Sequence, residues 1–233
     1  MAANSIFTSF LEGWLIRQES FFQELEALLS PVDGFDRDHE CSKIIPRVFS
    51  HYQEFYTEKA RAAGGDAFLL ISPPWLSSFE KSLLWISGFR PSMLFPIIER
   101  SVAEDLSAVQ KQRIEALRSE TRRKEREFTQ AMARIQETVA EPPLYGLMMS
   151  YEKVVNGETS DIDGAMEELK AAMMAVVENA DALRGWTAAE VVGILSPVQS
   201  VKFLAAVSRF QLQARKWGME RDRERGNITT NNN

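Results

Sequence analysis

The sequence predicts an all-α protein: a single helical-bundle domain with one long central helix and no sheet. Large apolar residues recur at steps of three and four along most of the chain. No useful stretch alternates with the period of two that a half-buried strand requires, and good helix formers dominate the final third. We expect the domain to span 6–225 and the polar segment 226–233 (GNITTNNN) to form a disordered tail.

Composition narrows the class of protein further. The 233 residues are 45% hydrophobic and 26% charged, as in ordinary globular domains, and the net charge of −6 does not favour a nucleic-acid binder. A single cysteine, Cys41, excludes an internal disulfide and suits a reducing compartment. Neither a secretory signal nor an apolar run long enough for a membrane helix is evident. We therefore expect an intracellular protein.

The first two helices are predicted from their amphipathic spacing and their terminators. Residues 6–29 place aromatic and aliphatic side chains on one broad face, and Pro31 ends that helix. An acidic loop leads to a second helix over about 41–63, in which Pro46 would occupy the first turn. Gly64 and its neighbouring glycine end it.

A third helix is predicted after the rigid Pro-Pro segment. Ser77 and Glu80 have the spacing of a capping box, in which each satisfies a free backbone N–H at the helix start. The apolar residues at 84–86 continue this helix as far as Gly88. A tight turn then leads to a short helix with Pro91 in its first turn.

The longest predicted helix spans about 103–140. Its residues follow a heptad spacing from Ile114 to Thr138, but the middle of that seam, 118–127, is almost wholly charged. A coiled-coil dimer would need apolar residues there. We therefore expect a helix that is packed at both ends and solvated in its middle.

The final third is predicted to contain three helices. One spans 162–182, and a second opens at Thr187 with a capping-box pattern and ends at Leu195. Ser196 and Pro197 then open the last helix, which continues to about residue 225.

No residue pattern indicates catalysis or a metal site. The chain has two histidines, His39 and His51, and the carboxylates around the first are dispersed. Nucleophile-elbow, Walker, zinc-protease and dinucleotide-binding motifs are absent from the sequence. The sequence therefore predicts a protein that binds partners and is not an enzyme.

Two segments suggest binding surfaces. The first helix carries more aromatic residues than a peripheral helix usually buries, so part of this face is either core or a docking edge for another protein helix. At the other end of the chain, Arg221, Arg223 and Arg225 could contact a nucleic acid or an acidic partner. A solvated helix end favoured by the helix dipole is the alternative for these arginines.

Three segments resemble the DOG1 domain, which occurs in plant seed-dormancy proteins and in TGA-type bZIP transcription factors. They are Trp14-Leu-Ile-Arg-Gln18, the segment 84–92 (LWISGFRPS), and 194–199 (ILSPVQ) with the Trp-Gly pair that follows. Ser87 departs from the first glycine of the family's W-x-G-G-x-R-P-S pattern. The resemblance assigns architectural roles to Trp85, Gly88, Arg90, Pro91, Ser92, Pro197, Gln199, Trp217 and Gly218. Among these, Gly88 would supply backbone freedom and close approach, and Arg90 would reach carbonyls or a carboxylate of a neighbouring helix.

The resemblance also implies partners, with two departures. Dormancy members dock phosphatases of the abscisic-acid pathway through an N-terminal acidic–aromatic segment; here the partner-binding candidates are Phe10, Leu11, Glu12, Trp14 and Gln18, with Gly13 inserted. Some members bind haem through two histidines, whose positions hold Gln211 and Arg215 here, so we expect no cofactor.

The resemblance implies a plant regulatory protein that acts through protein–protein interaction in seed dormancy, abscisic-acid or developmental signalling. A bZIP-type regulator is a second possible partner, and self-association is a third. Because the domain begins at the N-terminus, without a basic region before it, sequence-specific DNA binding is not expected. One alternative is a transcriptional cofactor that contacts DNA through the basic last helix. The other is a binder of a small ligand among the helices, near Met148, Met149, Met173 and Met174.

Overall fold

The computed structural model describes residues 2–30, 36–63, 68–141, 145–146 and 160–230. The predicted all-α class is confirmed, and extended structure in these residues is confined to a short antiparallel hairpin, β1 (Leu84–Trp85) and β2 (Gly88–Phe89). The longer helices are α1 (Ala2–Leu29), α2 (Arg37–Ala63), α6 (Ala108–Thr138), α7 (Ser160–Ile194) and α8 (Pro197–Thr230). The shorter ones are α3 (Phe68–Ile71), α4 (Ser78–Ser82) and α5 (Leu94–Ser101), with 3₁₀ turns at Pro91–Met93 and Ala103–Asp105.

The second helix starts earlier than the sequence pattern indicated. It begins at Arg37 and has two acidic residues, Asp38 and Glu40, in its first turn, where they favour the positive end of the helix dipole. Pro46 consequently lies inside the helix, and the prediction that it would occupy the first turn is wrong.

The third predicted helix is shorter than expected. α4 has the capping box, with Glu80 N donating to Ser77 Oγ and Ser77 N donating to Glu80 Oε2, but it ends at Ser82. The prediction that it continues to Gly88 is wrong, because residues 84–89 form the β hairpin. The apolar residues of this segment pack against α7, which is distant in the sequence.

The long helix α6 begins at Ala108 behind a second capping box, formed by Ser107 and Gln110. It lies along α7 and also contacts the 3₁₀ turn at Pro91–Met93, and Thr121 and Glu125 in its charged middle are buried. The expectation of a solvated middle is therefore wrong for the face that packs on the rest of the molecule, although the other face carries exposed ion pairs such as that between Arg123 and Glu127.

α7 is one continuous helix of 35 residues, so the predicted helix start at Thr187 is wrong. Thr187 is fully buried, and its hydroxyl donates to the carbonyl of Leu183 one turn earlier. A threonine in a helix interior can satisfy its hydroxyl in this way, so the capping-box pattern alone does not identify a helix start. α7 and α8, like α6, each exceed 30 residues.

The last helix packs against much of the rest of the molecule. α1, α2 and α8 contact one another, and α8 also contacts α4 and α5. One apolar core surrounds Phe95 and Phe203, and a second surrounds Phe7 and Trp75 at the other end of the bundle. α8 continues to Thr230, and the domain boundary at residue 225 stays a prediction.

Some sequence predictions lie outside the described residues. These are the helix terminators Pro31 and Gly64 with its neighbouring glycine, the helix end at 142–143, the methionines at 148–149 and the end of the tail at 231–233.

Candidate interaction surface

The hairpin at 84–89 is held against α7 by one arginine. Arg184 donates to the backbone carbonyls of Trp85, Ile86 and Phe89, and its guanidinium carbon lies 5.4 Å from the Trp85 ring centroid. It also pairs with Asp181 one turn earlier. A single buried cation thus donates hydrogen bonds to three backbone carbonyls of the hairpin.

Gly88 allows a close approach between the hairpin and the Arg184 guanidinium. A Cβ at Gly88 would lie 2.7 Å from Cζ of Arg184, a distance that real Cβ atoms do not reach. The positive φ angles of the turn fall on its neighbours, 43° at Ile86 and 64° at Ser87. The expected close approach is therefore present, whereas the unusual backbone conformation belongs to the two preceding residues.

The remaining residues of this segment make architectural contacts. Pro91 is buried at the start of a 3₁₀ turn, and Ser92 N donates to the buried carboxylate of Glu125 over 2.7 Å. Arg90 is exposed, with its guanidinium carbon 5.7 Å from the Trp85 ring centroid. The carbonyl contacts expected of Arg90 are made instead by Arg184.

The junction between α7 and α8 is closed by a capping box. Ser196 N donates to Gln199 Oε1 over 2.8 Å, and Gln199 N donates to Ser196 Oγ. The amide of Gln199 also donates to the carbonyl of Asp105, and Gln110 donates to Gln199 Oε1. Gln199 therefore ties the start of α8 to the start of α6.

The N-terminal candidates divide between core and surface. Leu11, Trp14 and Gln18 are buried, whereas Phe10 is half-buried and Glu12 is exposed. Trp14 stacks on the ring of His51, 4.4 Å away, and its indole N–H donates to the His51 carbonyl. In this conformation these buried side chains serve packing, and the exposed edge of the segment is at Glu12.

Gln18 forms a polar contact inside the bundle. Its amide donates to the hydroxyls of Tyr52 and Ser208, over 2.7 and 3.1 Å. Tyr52 in turn donates to Gln211 Oε1 over 2.6 Å. These bonds link α1, α2 and α8.

The residues at the family's haem positions do not suit an iron ligand. Gln211 accepts a hydrogen bond from the Tyr52 hydroxyl. Arg215 donates a hydrogen bond to the carbonyl of Trp75 and lies 3.3 Å from a carboxylate oxygen of Glu80. Neither provides an imidazole or a thiolate. The described residues contain no group of three or more His, Cys, Asp or Glu side chains placed to hold a metal ion.

Trp217 forms an exposed aromatic patch with Phe79 and Phe210. The Trp217 side chain is 47% exposed and meets Phe79 edge-on at 4.5 Å, and the three rings line a shallow cavity of about 510 Å³. Gly218 permits the close contact between α8 and the start of α4, because a Cβ at position 218 would lie 2.9 Å from Cβ of Ser77. The sequence predicted a purely architectural role for Trp217, and its exposure identifies it as a surface feature as well.

The basic candidates lie just beyond this patch. Arg221 is exposed with its guanidinium carbon 5.3 Å from the Trp217 ring centroid, and Arg223 and Arg225 are exposed on the following turn. Asp222, between Arg221 and Arg223, accepts a hydrogen bond from the backbone N–H of Ser78. This acidic residue therefore holds α8 to α4.

The comparisons with known proteins identify the family. The chain is 40% identical over 234 residues to Protein RESPONSE TO ABA AND SALT 1 of Arabidopsis thaliana, covering 96% of the chain and 98% of that protein. The model of the family described as "DOG1: Seed dormancy control" matches residues 22–100. The chain belongs to the DOG1 family. The predicted membership of the DOG1 family is thereby confirmed.

Other relatives extend the family's range. The chain is 38% identical to Protein ZW2 of Arabidopsis thaliana, covering 94% of the chain and 98% of that protein. It is 30% identical to Transcription factor TGA5 of the same plant, covering 85% of the chain and 60% of that factor. These relatives support a regulatory role in plants. No described helix has both the length and the apolarity needed to cross a membrane.

Several residues that build this architecture were not predicted from the sequence. Arg184, Glu125 and Gln110 are the main examples, because each acts on a segment distant in the chain. One signal was available for Arg184. It falls on the apolar stripe of its helix, between Ala180 and Val191, where a charged residue needs a buried partner.

Proposed function

We propose that this DOG1-family chain is a non-enzymatic plant regulator that acts by binding other proteins in seed dormancy, abscisic-acid or developmental signalling. Two names support this process: one relative is called Protein RESPONSE TO ABA AND SALT 1, and the family is described as seed dormancy control. A phosphatase of the abscisic-acid pathway and a bZIP-type regulator are the two partner classes, and self-association is a third mode. The protein acts in the nucleus and the cytoplasm.

The exposed patch around Trp217 is the observation that carries this proposal. Exposed tryptophans are enriched among the residues that dominate binding at interfaces, because a large flat ring buries much area on association. Lys216 and Glu220 line the same cavity and Arg221 lies over the ring, so these three side chains carry a net charge of +1. The patch therefore suits a partner segment that combines apolar side chains with acidic ones.

The test is capture of partners from plant cells by the full chain and by Trp217→Ala. The variant is expected to remain folded, because the side chain is half exposed, and to lose most of the regulatory partners. Val109→Ala is the matched control, because Val109 is also an exposed apolar residue but lies on α6. Wild-type protein that recovers no phosphatase, transcription factor or other regulator would contradict the proposal, as would equal capture by both variants.

The N-terminal segment provides a second partner test. Glu12 is the exposed acidic residue of the segment and Phe10 is half-buried beside it. Glu12→Lys reverses a surface charge without disturbing the core, so lost phosphatase binding in a stable variant would support docking there. Unchanged phosphatase binding would exclude this edge as the docking site for the phosphatase.

DNA contact through the last helix is the second candidate function, favoured by the exposed position of Arg221, Arg223 and Arg225. Phosphate contacts make DNA affinity fall as salt rises. Salt-dependent retention of DNA that disappears when the three arginines are replaced by glutamine would support this function. Retention that is unchanged by the replacement would exclude it.

A further inference from the structure

Two segments of the first two helices carry the same residue pattern. Residues 17–24 on α1 read RQESFFQE, and residues 47–54 on α2 read RVFSHYQE. Arginine, serine, glutamine and glutamate occupy matching positions, and ring side chains follow the serine in both. The arginine lies three residues before the serine and the glutamate four residues after it. At this spacing the three side chains share one side of their helix.

Reciprocal ion pairs join the two segments where α1 packs on α2. Arg17 Nη2 lies 2.8 Å from Glu54 Oε2, and Arg47 pairs with Glu24. The arginine of each segment therefore meets the glutamate of the other, because the two helices run antiparallel. We call this line of contact the α1–α2 seam. Its four charged side chains are between 41% and 55% exposed, so water surrounds both ion pairs.

The serine of each segment lies beside this seam and faces solvent. Ser20 and Ser50 are both exposed. Each directly precedes a ring at the centre of the seam, where the centroids of Phe21 and His51 are 5.0 Å apart. The two hydroxyls are therefore accessible and lie between the two ion pairs along the length of the helices.

An arginine three residues before an acceptor is a charge pattern that basophilic protein kinases recognise. Ser20 and Ser50 are the only serines of the sequence with arginine or lysine at that position. Three threonines have the same spacing, but Thr121 and Thr187 are buried, and the Thr129 hydroxyl already donates one hydrogen bond and accepts another. The pattern and the exposure therefore coincide at the two serines of the seam.

A phosphate on either serine would have a cation beside it. Side chains three residues apart on a helix are neighbours, so a phosphate on Ser20 reaches Arg17 and one on Ser50 reaches Arg47. A serine phosphate carries a charge of about −1.5 to −2 and three acceptor oxygens, so it competes with a carboxylate for the guanidinium. Ion pairs between exposed side chains contribute little to stability, and their exchange therefore leaves the fold intact.

We propose that Ser20 and Ser50 are phosphorylated by a basophilic serine kinase, and that each phosphate takes the arginine of its own helix from the glutamate of the other. The kinase uses MgATP. A bond forms between serine Oγ and the γ-phosphorus, the bond to the β,γ-bridging oxygen breaks, ADP leaves, and a base of the kinase takes the serine proton.

The modified seam would present phosphates and released glutamates to solvent, which makes this edge of the bundle strongly acidic. Such an edge attracts cationic surfaces and repels acidic ones. The site does not depend on the partners proposed above, because it is defined by residues of α1 and α2 alone.

The first experiment maps phosphate on the full chain. The chain is incubated with MgATP and the catalytic domain of a calcium/calmodulin-dependent protein kinase, and modified residues are located by tandem mass spectrometry. Ser20 and Ser50 are expected to be modified ~10-fold or more faster than Ser9 and Ser42, because the arginine contact favours them. Ser9 and Ser42 are matched controls, since they are exposed on the same two helices and have no arginine or lysine at that position. Equal rates, or no phosphate on Ser20 and Ser50, would overturn the proposal.

The second experiment exchanges the arginines one at a time. Arg17→Gln is expected to slow modification of Ser20 ~10-fold or more and to leave Ser50 unchanged, because only the first serine loses its recognition residue. Arg47→Gln should have the reverse effect. The serine on the other helix reports in the same molecule that the fold is retained. A variant that slows both serines alike, or neither, contradicts recognition through these arginines.

The third experiment tests the exchange of ion pairs without a kinase. Phosphoserine is incorporated at position 20 during synthesis, with and without Arg17→Gln, and the phosphate is titrated by phosphorus NMR. An adjacent guanidinium favours the dianion, so the titration midpoint is expected at lower pH in the chain that keeps Arg17. Thermal unfolding of both chains checks that they are folded. Identical midpoints in two folded chains would show that the phosphate does not take Arg17 from Glu54.

Discussion

Replacing Ser87 by glycine is expected to stabilise the protein. Ser87 has a φ of 64° and, with Ile86 at 43°, forms the two-residue turn between the paired residues Trp85 and Gly88. Positive φ at both central positions is the requirement of a type I′ hairpin turn, in which glycine is favoured. The family pattern has glycine at this position, so the substitution restores the residue that the turn geometry prefers.

The magnitude follows from three terms. A non-glycine residue in the left-handed region costs roughly 1–2 kcal/mol. The greater freedom of glycine in the unfolded chain offsets roughly 0.5–1 kcal/mol of that gain. Ser87 Oγ is buried without a hydrogen-bond partner among the described residues, and its removal adds to the gain. The expected increase in the free energy of unfolding is about 1 kcal/mol, which corresponds to ~2–4 °C in Tm for a chain of this size.

Urea denaturation of the parent, Ser87→Gly and Ser87→Ala separates these terms. Alanine removes the hydroxyl but keeps the backbone cost, so the difference between the two variants reports the turn conformation, less the effect of glycine's greater freedom in the unfolded chain. We expect the glycine variant to be more stable than the alanine variant by roughly 0.5–1 kcal/mol. If Ser87→Gly is no more stable than Ser87→Ala, then the positive φ carries no strain and the reasoning is refuted.

Three further predictions follow from buried contacts. Gly88→Ala places a Cβ 2.7 Å from Cζ of Arg184 and should cost ~2 kcal/mol or more by urea denaturation, because the arginine must give up carbonyl contacts. Trp14→Ala removes a buried ring and its hydrogen bond and should lower the unfolding free energy by ~3–5 kcal/mol. Burial lowers the pKa of His51 from 6.5 to about 4. The unfolded chain therefore binds a proton below pH 6.5 that the folded one refuses, and up to about 3 kcal/mol of stability is lost between pH 6.5 and 4, as measured by thermal unfolding.

Each of these has a control. Gly193→Ala tests a helix position with open space, and a loss there equal to that of Gly88→Ala would show that the contact with Arg184 is not the cause. A Trp14→Ala variant that keeps its stability but loses partner binding would establish docking in place of packing. His51→Phe should remove the corresponding part of the acid sensitivity, and an unchanged pH profile would assign that part to other groups.

Local signals were sufficient for much of the helical architecture. Capping residues identified the starts of α4 at Ser77 and of α8 at Ser196, because a cap is satisfied by atoms within three residues of it. The same pattern failed at Thr187, where the helix is continuous. The capping-box pattern is a local feature of the sequence, whereas the burial of Thr187 on the apolar side of α7 depends on residues elsewhere in the chain.

The candidate interaction residues were less predictable, because exposure depends on the packing of several helices. The aromatic residues of the first helix and Trp217 are alike in type, yet Trp14 is buried against α2 and Trp217 is half exposed on α8. Met173 and Met174, which the sequence suggested for a ligand site, pack in the core around Phe7. The two serine motifs of the α1–α2 seam are visible in the sequence, but only the packing of the two helices pairs the arginine of each with the glutamate of the other.

The sequence by itself determined the all-α class, the family and several helix ends, since these depend on periodicity, caps and short motifs. Only the tertiary structure decided that residues 84–89 form a hairpin, because the carbonyls of that segment are satisfied by Arg184, which lies 99 residues beyond Trp85 in the chain. It also decided that Glu125, in a charged run, is buried under Ser92. Both outcomes have one physical reason: a buried polar group must find a partner, and that partner can come from any part of the chain.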